Sequence, residues 1–72
     1  MINEHHLTTP EQILRAALEK ETRSRDFYAG ISANCTVDYV KELLEKLQNE
    51  EEKHIHMIQT MIERLESGRE LV

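Results

Sequence analysis

The stretch VKELLEKLQNEEEKHIHMIQTMIERL, residues 40–65, decides the fold. Its apolar residues Val40, Leu43, Leu44, Leu47, Ile55, Ile58, Met61, Ile62 and Leu65 recur three and four apart. That spacing lays them along one side of an α-helix. Two polar residues interrupt the stripe. Glu51 falls four residues after Leu47 and seven before Ile58, and His54 falls seven after Leu47 and four before Ile58. Both therefore point the way the stripe points, into a core. A carboxylate there is costly unless it is paired or bound to a metal.

Upstream of this helix the punctuation is sparse. The chain has one proline and two glycines, Pro10, Gly30 and Gly68, and nearly everything between them is a helix former. Thr9, Pro10, Glu11 and Gln12 read as an N-cap, a proline at the first helical position, an acid in the first turn and the partner of a capping box. Helix 1 is predicted over about 10–32. Gly30 lowers helix propensity just before a connection over 32–36, where Asn34 or Thr36 is the expected cap of helix 2. Helix 2 is predicted over about 37–67 and is expected to stop at Gly68, with Arg69 to Val72 as a short tail and residues 1–8 as a loose arm. A connection this short joins antiparallel neighbours. The expected fold is all-α, a single half domain made of one two-helix antiparallel hairpin.

Length sharpens this. A chain of 72 residues buries little surface by itself and usually needs a staple or a partner. Disulfides and cysteine-based metal sites are ruled out, since Cys35 is the only cysteine. What remains is association, a His/carboxylate metal site, or both. Each helix also leaves one apolar side uncovered, so the hairpin should pair with a second copy into a four-helix bundle. Fourteen acids against nine bases give a net charge of −5, which argues against nucleic acid or an anionic membrane as partner. No apolar run approaches the roughly 18 residues that span a bilayer. The first residues lack the basic and apolar regions of a signal peptide, so a cytoplasmic location is expected.

Helix 1 carries the matching half of the motif. Leu14, Ala17 and Leu18 lead to Glu21, Tyr28 follows seven residues later on the same side, and Ile31 comes three after that. In an antiparallel hairpin two residues are level when their numbers average to the turn centre. Glu21 with Glu51 and Glu21 with His54 both average close to the predicted turn. Glu51-Glu52-Lys53-His54 is a Glu-x-x-His motif whose i, i+3 spacing turns both side chains inward. Carboxylates with one imidazole suit iron or manganese. Known di-metal bundles take one Glu from each of two helices and a Glu-x-x-His from each of the other two. One hairpin supplies half of that set and a pair supplies all of it.

Glu21-x6-Tyr28, with Phe27 before the tyrosine, followed about thirty residues on by Glu51-x-x-His54, resembles the rubrerythrin/ferritin-like superfamily. Within it the chain looks like the half-length members, the encapsulated ferritins, and the resemblance runs over about residues 10–65. It implies a ferritin-like four-helix bundle made from two chains. It implies a di-iron centre at the dimer interface with Glu21, Glu51 and His54 as ligands and catalytic residues, and Tyr28 beside them. The implied activity is ferroxidase-type oxidoreduction, Fe(II) to Fe(III) with oxygen or peroxide, in iron handling or oxidative-stress protection. Manganese and zinc are the alternative metals. The implied partners are a second copy, a higher homo-oligomer and an encapsulating shell protein that would place the chain in a nanocompartment. Two departures stand out. Lys20 and Arg23 occupy positions where encapsulated ferritins carry acids of a metal entry site, and the C-terminal shell-targeting extension has no counterpart here.

Plainer readings stand beside these. Glu21 could pair with Arg25 at i+4, and His54 could be a satisfied core histidine. Glu50 and Glu52 read as solvated faces. His56 is rotated about 140° from Glu51 and reads as surface; with His5 and His6 it would bind metal only adventitiously. Tyr28 reads as core, Met57 and Met61 as packing, and Cys35 as a bystander in the turn. The competing function is a metal-free or structural-metal hairpin that serves as an oligomerisation or interaction module.

Overall fold

The computed structural model describes residues 9–71, as two helices in the order α1 (Pro10–Ala33) and α2 (Asp38–Leu71), packed as an antiparallel hairpin. The expectations for residues 1–8, His5 and His6 included, and for Val72 lie outside the described residues. Among the described residues no helix is long and apolar enough to cross a membrane.

The start of α1 is held by a reciprocal pair of bonds. The Gln12 N–H donates to Thr9 Oγ1 at 3.1 Å, and the Thr9 N–H donates to Gln12 Oε1 at 3.1 Å. Two of the helix's orphan donors are thus satisfied. At the other end Asn34 closes α1 rather than opening α2. Its backbone N–H donates to the Ser32 carbonyl, and its Nδ2 donates to the Gly30 carbonyl at 3.3 Å. Neither Asn34 nor Thr36 caps α2. Val37 stands in the cap position, where its carbonyl accepts from the N–H groups of Val40 and Lys41 at 3.1 and 2.9 Å.

The far end of α2 also differs from expectation. The helix runs through Gly68 to Leu71, and no described glycine has a positive φ. A helical glycine costs only about 1 kcal/mol relative to alanine. That is too little to stop so long a helix, of 34 residues in all, when good helix formers follow.

The hairpin measures 53 × 26 × 12 Å. The shortest dimension is the diameter of a single helix, roughly 10–12 Å. There is thus one layer where a domain ordinarily has two or three. The core is correspondingly thin. Among the described residues Ile55 and Ile62 are the buried apolar ones, with Ser32 buried at the turn end of α1.

At about 100° per residue, each helix can be sorted by the side of the hairpin its residues occupy. On one side α1 carries Glu11, Arg15, Thr22 and Arg25, and α2 carries Gln48, Glu52, Gln59 and Glu66. This side is tied across. Arg15 Nη2 donates to Glu66 Oε1 at 2.9 Å, and Arg25 Nη1 to Glu52 Oε1 at 3.0 Å. On the other side α1 carries Ile13, Ser24, Phe27 and Ile31, and α2 carries Leu43, His54, Met57 and Met61. No described residue covers this open side: Phe27 is 60% exposed, Leu43 53% and Met61 45%. Val40, Leu43 and Met61 belong to the apolar stripe of α2, yet they are exposed, because the stripe is wider than a single neighbouring helix can cover.

Candidate metal centre

Glu21 lies near the middle of α1, and Glu51 and His54 lie near the middle of α2. The antiparallel pairing brings these levels together. His54 Nδ1 stands 3.8 Å from Glu21 Oε1 and 3.9 Å from Glu51 Oε2. One ligand atom from each of the three residues lies within 4.8 Å of the others. The i, i+3 spacing on α2 sets Glu51 and His54 side by side, and the matched heights set Glu21 opposite.

The environment is graded. The Glu51 side chain is 16% exposed, that of Glu21 is 26% and that of His54 is 41%, the last opening toward the uncovered side. Glu51 Oε2 is buried, and while both carboxyls are ionised it has no hydrogen-bond partner. A buried carboxylate oxygen without a partner is expensive in a protein interior. The Glu51 carboxyl is pushed above its ordinary range, first by hydrogen bonding to the Glu21 carboxyl, then by desolvation and by the charge of Glu21; His54 and Lys20 pull it back down. Two carboxylates facing each other cannot both ionise cheaply. A cation between them removes that difficulty, and two carboxylates with one imidazole are a donor set for iron, manganese or zinc. The residues present therefore fit a metal.

Arg25 does not serve as the partner of Glu21. It reaches Asp26 at 3.1 Å and Glu52 at 3.0 Å instead, because it lies toward the tied side. Glu21 is left facing Glu51 and His54. Tyr28 is half-buried, with its ring edge-on to Phe27 at a centroid distance of 5.5 Å. His56 is exposed. Cys35 is half-buried in the connection, with its thiol 3.6 Å from the Val37 carbonyl. Lys20 stands in the sequence only as a departure from the family pattern, but in the structure its charge reaches the Glu51 carboxylate.

The shifted carboxyl has a sign that can be tested without metal. A group whose folded pKa is raised gives stability that is fully present below its unfolded pKa and is lost as pH rises through the folded value. The thermal midpoint of the metal-free chain is therefore expected to fall, through this group, as pH climbs above the ordinary glutamate range. Glu51→Gln should remove that part of the slope. A bound divalent cation should reverse it, because the ligands must then be deprotonated. Melting curves by circular dichroism over a pH series check this, and identical slopes in the wild type and Glu51→Gln would count against it.

A family model described as Rubrerythrin matches residues 12–72, which takes in both helices and all three clustered side chains. No curated protein and no solved structure matches the chain.

Proposed function

The chain belongs to the rubrerythrin family, and on that premise we propose that two copies join by their open sides into a ferritin-like bundle that oxidises Fe(II) at a shared di-iron carboxylate centre. The observation that carries this reading is the buried, unpartnered Oε2 of Glu51, which faces Glu21 and His54. One hairpin presents two carboxylates and one imidazole. Two hairpins present four and two, the set that di-metal bundles use.

In this reading iron is the substrate. Two Fe(II) ions held side by side supply one electron each to an oxidant of the dioxygen or peroxide class. The residues of the chain do the rest. Glu51 loses the proton that the facing Glu21 carboxyl favours, and the two residues become a pair of anions aimed at one point. His54 presents Nδ1 to the same point and leaves its ring edge toward the open side. The apolar residues above and below, Leu47 and Ile58 on α2 and Tyr28 on α1, limit water around the carboxylates once the open side is covered. The chain's part is to fix ligand geometry before the metal arrives.

Metal-free protein mixed with Fe(II) in air should show a fast oxidation phase of about one iron per chain, two per pair. An oxidation rate no greater than that of buffer would remove the ferroxidase reading. The competing reading is an interaction module without metal, and the exposed apolar side suits it equally well. It gives no reason for an unpartnered carboxylate at the middle of the hairpin, and it predicts thermal stability indifferent to added divalent cations.

A further inference from the structure

Arg25 follows Glu21 by one turn of α1, about 40° around the helix from it, and both side chains are half-buried. An acid four residues before an arginine is a favourable helical pair. Among the described residues this pair is not made. Arg25 Nε donates to Asp26 Oδ1 at 3.1 Å, and its Nη1 donates to Glu52 Oε1 at 3.0 Å. We propose that Glu52 is a positioning residue for the metal centre: it draws Arg25 across to the tied side of the hairpin and so leaves the Glu21 carboxylate open to a cation. This role rests on the metal reading of Glu21, Glu51 and His54.

A guanidinium is a planar fork that grips a carboxylate through parallel N–H donors. One edge of the Arg25 fork, Nε and Nη1, is taken by two carboxylates, one from each helix. Glu52 is the one that pulls toward α2. Neighbours in sequence do not face each other on a helix, so Asp26 alone holds Arg25 weakly. Without Glu52, Arg25 can turn back to Glu21. The Glu21 side chain is 26% exposed and that of Asp26 is 66%, so a pair with Glu21 is screened less by solvent. An arginine seated there occupies the lone pairs that a metal needs and sets a positive charge beside it. Glu52 stands outside the cluster of candidate ligands. It therefore acts on the centre through Arg25.

The placement follows from the helix. Glu52 comes directly after Glu51, and a step of about 100° sends Glu51 toward α1 and Glu52 to the tied side. The ion pair that joins the helices beside the centre is thus the one that clears it. Two copies joined by their open sides would leave the tied side uncovered, so the contact between Arg25 and Glu52 is compatible with the pair.

Co(II) is titrated against the metal-free full chain, with visible absorption as the signal, in the wild type, Glu52→Gln, Arg25→Gln and the double variant. Glu52→Gln is expected to weaken Co(II) binding by at least about threefold, the scale of an ordinary exposed ion pair. In the Arg25→Gln background the same substitution should cost nothing. Plain loss of a negative charge near the metal would cost the same factor in both backgrounds, and that result would overturn the proposal. So would unchanged affinity in Glu52→Gln. A second readout needs no metal. In the isotope-labelled chain the Arg25 Nε–H resonance should shift on Glu21→Gln in the Glu52→Gln background and hold its place in the wild-type background. An equal response in both would also overturn the proposal. A wild type that binds no Co(II) would remove the metal reading, and the Arg25 resonance would still decide whether Glu52 holds Arg25 off Glu21.

Discussion

Glu51→Gln is expected to raise the stability of the metal-free chain while abolishing fast Fe(II) oxidation. The two signs have one cause. In the metal-free hairpin, ionised Glu51 is a buried carboxylate with an unpartnered oxygen beside a second carboxylate. Replacing it with an amide of the same shape removes the charge and its desolvation cost. The same change takes away the innermost of the three clustered donors. Loss of an outer-shell partner alone typically costs about 10–100-fold in metal affinity or activity, so loss of a ligand should cost more than about 100-fold. His54→Ala should cost a similar factor without the gain in stability, because its ring is partly exposed. Stopped-flow oxidation and thermal melts on the same samples separate these effects. An ordinary structural glutamate would lose stability on substitution, and a spectator would change neither reading.

Leu43→Asp should turn a paired protein into single chains. Leu43 is 53% exposed in the hairpin, where a substitution would ordinarily shift stability by no more than about 0.5 kcal/mol. If the open side is buried against a second copy, the same change places two unpaired carboxylates in an apolar seam, at a cost of several kcal/mol for each. Sedimentation at micromolar concentration should give twice the chain mass for the wild type and the chain mass for Leu43→Asp. Helix content should drop as well, since a layer one helix thick has little core to keep it folded. Gln59→Lys, on the tied side, is the control and should leave the mass unchanged. A monomeric wild type would remove the shared centre along with the pair.

Much of this architecture could be read in advance where a local rule has no competitor. The capping box at Thr9 and Gln12 is a self-contained pattern, and both of its bonds are present. The meeting of Glu21, Glu51 and His54 follows from two periodicities and one turn, each visible in the sequence. The ends of α2 were less legible. Its start has no side-chain acceptor at Val37 to announce it, and Gly68 is a weak stop where the competing energies are about 1 kcal/mol. The choice of Arg25 between Glu21 and Glu52 depends on which side of the hairpin Arg25 occupies, a tertiary fact that i, i+4 spacing does not contain.

The chain contributes each of Glu21, Glu51 and His54 only once, and this limits what evolution can do with a centre built from two copies. A longer chain with both halves can drift apart, so that one metal position becomes tight and the other exchangeable. In the proposed pair any substitution near one metal would be made near the other as well. The two positions would start equivalent, and a preference for iron at one and manganese at the other could not be encoded. Any inequality between them would have to come from occupancy, the first ion altering the field that the second one meets.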